Sequence, residues 1–214
     1  MLTPQVPVAK EGYPFIGIVV FCTLIFALLD LLIPAAVFLV LTIFVLSFFR
    51  DPERFIPPQE NSLVSPADGK ILLVEKVDDD RFTADKAYKI SIFMNVFNVH
   101  VNRIPFSGKV EKIIYSPGKF YSADSEKSAL QNEYCATVIT TSDGKKLAFV
   151  QVAGLIARRI ICWLEPGDHA DKGKRYGLIR FGSRVDLYLP LDTEIIVQSG
   201  QKVRAGESIL GYLG

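Results

Sequence analysis

An apolar run from Tyr13 to Phe49, in which the only charge is Asp30, limits the architectures open to this chain more than anything else in it. As one straight helix it would extend roughly 55 Å, far beyond a hydrocarbon core of about 30 Å. Asp30 and Pro34 divide it into Tyr13–Leu29 and Leu31–Phe49, each near the minimum crossing length, so the sequence predicts a helical membrane hairpin. The run is too long for a signal peptide, and no small-residue cleavage site follows before Arg50-Asp51-Pro52-Glu53-Arg54. A hairpin returns both ends to one side of the bilayer. Lys10, Arg50 and Arg54 assign that side to the cytoplasm of a cell membrane.

The remainder has the charge density of a water-soluble domain. The expected organisation is therefore an anchor over residues 1–54 and a soluble domain over 55–214. With 24 Lys+Arg against 23 Asp+Glu, the net charge of +1 gives no footing for nucleic acid. The three cysteines, Cys22, Cys135 and Cys162, are odd in number and far apart, which indicates neither a disulfide framework nor a zinc site. Two histidines, His100 and His169, are too few for a multi-histidine metal centre. No GxGxxG, Walker loop, HExxH or GxSxG occurs.

After Pro57-Pro58, short runs rich in Val, Ile, Phe and Tyr alternate with Gly, Pro and Asp turns. Strands are expected over Ile71–Val77, Lys89–Val96, Gly108–Tyr115, Ala136–Thr141, Lys146–Val152, Arg184–Leu189, Glu194–Val197 and Ser208–Leu213. A short helix is expected over Gly154–Trp163, where Ile156, Ile160 and Ile161 would share a face. Gly167 to Gly173 is echoed 33 residues later by Gly200 to Gly206, each copy leading into an apolar strand. Glycines at matched offsets suggest equivalent turns, as in biotinyl/lipoyl-like hairpins. The fold class is thus mostly β, a compact barrel or sandwich with such hairpins behind the α-helical membrane hairpin.

Three stretches carry polar groups with chemical potential. Ser65-Pro66-Ala67-Asp68-Gly69-Lys70 reads as a turn entering a strand. In Val96 to Pro105, strand alternation would put Asn98, His100 and Asn102 on one polar face. Arg180-Phe181-Gly182-Ser183-Arg184-Val185-Asp186 holds a Gly-Ser dipeptide between two strand-like pieces.

Together with Tyr115-Ser116-Pro117-Gly118, Val152-Ala153-Gly154 and Ala157-Arg158-Arg159, these motifs closely resemble the short form of phosphatidylserine decarboxylase, in order over residues 50–214. The resemblance implies a proenzyme that cuts itself between Gly182 and Ser183. Ser183 becomes a covalent pyruvoyl group on an α chain of residues 183–214, which stays with a β chain of residues 1–182. It implies a carboxy-lyase that forms a Schiff base with phosphatidylserine and releases phosphatidylethanolamine, without metal or pyridoxal phosphate. Catalytic roles fall to Ser183, His100 and Asp68, with Asp68 orienting a histidine and His100 deprotonating Ser183 or handling the Cα proton. The chain departs from longer family members at Arg103, where their His-x-x-His-x-Pro pattern has a second histidine.

A substrate that stays in the bilayer demands a site brought to its surface, and Lys172, Lys174 and Arg175 are candidates for the headgroup phosphate. The sequence leaves open a decarboxylase of another seryl phospholipid such as archaetidylserine, a non-enzymatic membrane-tethered lipoyl-like adaptor, and self-association into a homo-oligomer.

Overall fold

The computed structural model describes residues 7–83, 85–118, 132–154, 159–180 and 183–214, which divide into two compact units, Met1–Glu53 and Arg54–Gly214.

In the first unit, α1 (Tyr13–Leu28) and α2 (Leu32–Phe48) pair as a hairpin. The break falls where the carboxylate is: Asp30 adopts φ 54°, a left-handed conformation that Asp tolerates better than most residues. Pro34 lies inside the first turn of α2, where its missing N–H would have had no intrahelical partner. Across the hairpin, Thr23 and Thr42 approach to 3.2 Å between hydroxyls, and Phe26 packs on Phe38 at 5.2 Å between ring centroids. Both threonine hydroxyls also reach the carbonyl four residues back, Val19 and Phe38. Polar groups are thereby satisfied internally while Leu28, Leu32 and Ile33 face outward, the arrangement hydrocarbon requires. Helix Lys10–Leu28, at 19 residues, is long and apolar enough to cross a membrane.

The second unit is mostly β. Its described strands are β1 (Ser62–Val64), β2 (Gly69–Asp79), β3 (Asp85–Met94), β4 (Val101–Arg103), β5 (Gly108–Ser116), β6 (Tyr134–Thr140), β7 (Lys146–Ala153), β8 (Ile160–Cys162), β9 (His169–Ala170), β10 (Arg175–Ile179), β11 (Ser183–Pro190), β12 (Glu194–Ile195), β13 (Lys202–Val203) and β14 (Ile209–Tyr212). A large antiparallel sheet, β13-β2-β3-β11-β7-β6-β5-β9, curls into a half-barrel; two three-stranded sheets, β4-β10-β8 and β1-β14-β12, complete the domain. Alternation along β11 puts Val185, Leu187 and Leu189 into the main core with Ile90, Ile92, Phe149 and Tyr176. The opposite face of the large sheet carries a second cluster around Phe82, Val138, Val150 and Tyr188.

Two expectations change. Ile160–Cys162 is a strand beside β10, not part of a helix; its β-branched isoleucines bury more by pairing there, and 155–158 lie outside the described residues. The expected strand over 96–105 shrinks to Val101–Arg103, because Asn95 and Asn98 turn the chain. Asn98 Oδ1 accepts from Asn95 N at 2.9 Å, and Asn95 Oδ1 accepts from Phe97 N at 2.9 Å. His100 and Asn102 are consequently fully buried rather than on a solvated face.

The glycine repeat is structural. Gly167, Gly173, Gly200 and Gly206 all have φ between 75° and 98°. Gly167 N donates to Val110 O and Gly200 N to Ile71 O, both at 2.8 Å; Gly173 N and Gly206 N reach Ile104 O and Ser65 O at the same distance. The partners disclose a second echo that hydrophobic patterning does not reveal: Ser65-Pro66-Ala67-Asp68-Gly69-Lys70 stands to one turn as Ile104-Pro105-Phe106-Ser107-Gly108-Lys109 stands to the other. At Gly69 a Cβ would lie 2.1 Å from the Phe93 carbonyl oxygen. Gly69→Ala is expected to open the β2–β3 ladder and cost about 2–3 kcal/mol, measurable by urea denaturation.

Candidate active site

Ser183 is the first residue of β11, paired with Met94 at the end of β3 and with Ala153 at the end of β7. Its side chain shares the inward face with Val185. Its hydroxyl is buried and has no hydrogen-bond partner among the described residues. A buried hydroxyl left without a partner costs free energy that a merely structural serine would avoid. Gly182 and Phe181, the other side of the expected scissile bond, lie outside the described residues.

His100 comes to the same end of the fold. Its carbonyl accepts from Ile179 N at 3.4 Å, four residues before Ser183 on the chain that leads into β11. Its Nδ1 lies 3.0 Å from the Asn98 carbonyl. A carbonyl only accepts, so Nδ1 carries the proton, and a neutral ring then presents Nε2 as the base.

Between His100 and Ser183 runs a buried polar link. Asn102, two residues on from His100, directs Nδ2 at Met94 Sδ and Pro66 O, each at 3.5 Å. Gln151 Nε2 donates to Asn102 Oδ1 at 2.9 Å and to Ile161 O at 3.4 Å. This ties β4, which begins directly after His100, to β7, which pairs with β11 at Ser183. Gly177 makes the approach feasible, since a Cβ there would sit 2.2 Å from Ile161 O and 2.9 Å from Gln151 Nε2. Gln151 is not among the residues that the sequence motifs single out, although a lone amide inside the apolar run Leu147–Ala153 is a usable signal.

Asp68 is held elsewhere. Arg54 Nη2 lies 3.0 and 2.8 Å from its two carboxylate oxygens, and Ala205 N donates to Oδ1 at 2.8 Å. Ser107 Oγ accepts from Lys172 N at 3.0 Å in the matching position of the repeat. Asp68 therefore pins a glycine turn, and no bond joins it to His100 among the described residues. Arg103, which stands where longer relatives have a second histidine, is buried and donates to Gly173 O at 2.9 Å. The Arg54–Asp68 pair has side chains only 8% and 12% exposed. Arg54→Ala, which strands that carboxylate, is expected to cost about 3 kcal/mol by thermal or urea unfolding.

Beside Ser183 but on the opposite sheet face, Arg184 Nη2 donates to Asp186 Oδ2 at 3.0 Å, and Nε lies 2.8 Å from Oδ1 as an ion pair, with both side chains buried. The pair is held on the outward face of β11 while Ser183 faces the core. On the inward face, the Cys135 thiol donates to the Cys162 sulfur, lowering Cys162 to about 6 and raising Cys135. Iodoacetamide should therefore label Cys162 before Cys135, with a rate falling about tenfold between pH 7 and pH 5, read by peptide mass.

The sequence's candidate cations for a lipid phosphate are otherwise engaged. Lys172 Nζ donates to Ser62 Oγ at 3.0 Å and to Gln59 O; Lys174 pairs with Asp171. Arg175 begins β10, at the far end from Ile179 and His100. Among the described residues no three His, Cys, Asp or Glu side chains form a ligand set.

A family model described as phosphatidylserine decarboxylase matches residues 41–211. The chain belongs to the phosphatidylserine decarboxylase family. A phosphatidylserine decarboxylase proenzyme from Desulfotalea psychrophila is 64% identical over 213 residues, covering all of both chains. Proenzymes of the same description from Citrifermentans bemidjiense and Geotalea uraniireducens are 50% and 49% identical, again over the full length of both.

Proposed function

We propose that this chain is the proenzyme of a membrane-bound decarboxylase that converts phosphatidylserine to phosphatidylethanolamine, using a pyruvoyl group made from its own Ser183. The observation that carries the reading is the buried Ser183 hydroxyl, without a hydrogen-bond partner among the described residues, at the same end of the fold as His100, in a chain of this family.

The residues fit such a group. Ser183 is enclosed by Met94 and Ala153, so a terminus formed there is shielded from bulk water. In self-cleavage His100 Nε2 takes the Ser183 proton as Oγ attacks the Gly182 carbonyl carbon; the C–N bond breaks, leaving an ester and a free amine on Ser183. Elimination across Cα–Cβ expels the Gly182 carboxylate, and hydrolysis of the resulting enamine releases ammonia and leaves a ketone. That ketone supplies the electron sink for CO2 loss from an amine-bearing carboxylate. The chain's own part is then to bind the headgroup, exclude water and hold a proton at His100 Nε2. Asp68 contributes by fixing the turn at Gly206 through Arg54 and Ala205, which sets β4 and hence His100.

The α-helical hairpin anchors the enzyme, and Lys10, Arg50 and Arg54 assign the catalytic domain to the cytoplasmic side. Protease added outside sealed right-side-out vesicles should leave residues 54–214 intact; their digestion would reverse this topology. The activity itself is tested by purifying the chain, measuring its mass under denaturing conditions and supplying phosphatidylserine. Two fragments, carbonyl-reagent sensitivity and released phosphatidylethanolamine are expected; an uncleaved chain that turns substrate over would refute the pyruvoyl reading.

A further inference from the structure

The end of the large sheet that carries Ser183 differs in charge from the opposite end. At the Ser183 end, Lys202 pairs in register with Lys70, Lys70 with Phe93, and the next residue along β3, Met94, with Ser183. Arg159 stands beside them, its carbonyl accepting from Arg180 N at 3.3 Å just ahead of β11. Lys70, Arg159 and Lys202 are all exposed, and none forms an ion pair among the described residues. The opposite ends of β2, β6 and β11 lead into exposed Asp78, Asp80, Asp143 and Asp192. Among the described residues the three cations at the Ser183 end thus have no ion-pair partner, whereas at the other end Asp143 and Asp192 pair with Lys145.

At the same end of the fold Phe97 is 72% exposed. It occupies the turn that follows Met94 and precedes His100, and that turn spends both asparagine side chains on its own backbone. Phe97 is thus presented on a preformed support, which reduces the ordering cost of burying it in a partner. An exposed aromatic at the same end as three exposed cations matches a surface with anionic headgroups above an apolar layer. A purely acidic protein partner would not need the aromatic tip, and an apolar one would not tolerate the three cations.

We propose that this end of the domain docks on an anionic lipid bilayer, with Phe97 entering the interface and Lys70, Arg159 and Lys202 meeting lipid phosphates, so that the end of the sheet that buries Ser183 and His100 faces the membrane. The inference rests on the proposed function for its purpose, but not for its test.

The chain's single tryptophan allows a direct probe. The full-length Phe97→Trp variant in a Trp163→Phe background is reconstituted into vesicles of phosphatidylcholine, with or without about a third phosphatidylglycerol, containing acyl-chain-brominated lipid. Emission from the introduced indole should be quenched at least twofold more in the anionic vesicles than in neutral ones. The difference should vanish near 1 M salt, where the Debye length falls to about 3 Å, and be at least halved by Lys70→Gln/Arg159→Gln/Lys202→Gln. Should the triple variant lose its thermal transition, the three exposed positions are neutralised singly and read the same way. Unquenched emission, or quenching indifferent to lipid charge, salt and all three cations, overturns the proposal. Phosphatidylglycerol is not a decarboxylation substrate, so failure of docking and failure of the catalytic reading are separately visible.

Discussion

Replacing Ser183 by Ala is expected to leave a single chain of 23.8 kDa where the wild type gives two fragments. Turnover of phosphatidylserine should fall by more than about 10⁴-fold, because alanine has neither a nucleophile to cut the chain nor a β-leaving group from which the ketone could form. The fold should survive: the Ser183 hydroxyl has no hydrogen bond to lose among the described residues, and removing a buried unpartnered polar atom is neutral or mildly stabilising. Intact mass under denaturing conditions reads the first outcome and a thermal melt the second. A Ser183→Ala chain that still splits would put the scissile bond elsewhere and remove β11 from the chemistry.

A loss nearly as severe belongs to His100. With Nδ1 committed to the Asn98 carbonyl, Nε2 is the group available to take the serine proton, and general-base catalysis of this kind contributes about 10²–10⁴-fold. His100→Ala is therefore expected to slow self-cleavage by that factor, followed as disappearance of full-length chain after synthesis. Because His169 is exposed and pairs with Asp171, it offers no substitute. Turnover by whatever fraction does cleave then separates the two roles: residual wild-type kcat confines His100 to maturation, and a second drop extends it to decarboxylation. Normal cleavage together with normal turnover would exclude His100 from both.

Much of the architecture is legible directly. The hairpin follows from an apolar run with one interrupting carboxylate, and local hydrophobicity decides that outcome without long-range help. The long strands β2, β3, β5, β6, β7 and β11 follow from β-branched content between turn residues. The short strands β8, β9 and β13 do not, because two or three residues carry no periodicity of their own and form only where a neighbouring edge offers unpaired backbone groups. The helix expected over Gly154–Trp163 fails for the same reason: Ile160 and Ile161 suit either state, and pairing with Leu178 and Ile179 selects the strand. Ser183 is singled out by a motif. That its hydroxyl is buried without a partner among the described residues becomes visible only once β11 pairs with β3 and β7.

Asp68 marks the boundary most clearly. Within Ser-Pro-Ala-Asp-Gly it reads as a turn aspartate and, through resemblance, as a histidine's partner; the structure gives it Arg54 and the Ala205 amide instead. Arg54 lies 14 residues away and Ala205 lies 137, separations at which no sequence pattern reports contact. Local chemistry is enough to say where the chain turns greasy, which segments extend, and which serine sits between glycine and arginine. Which polar groups meet, and which are buried alone, emerges only when the strands assemble. Such choices depend on strand register, and register is set by how the whole sheet buries its apolar face rather than by any neighbouring residue.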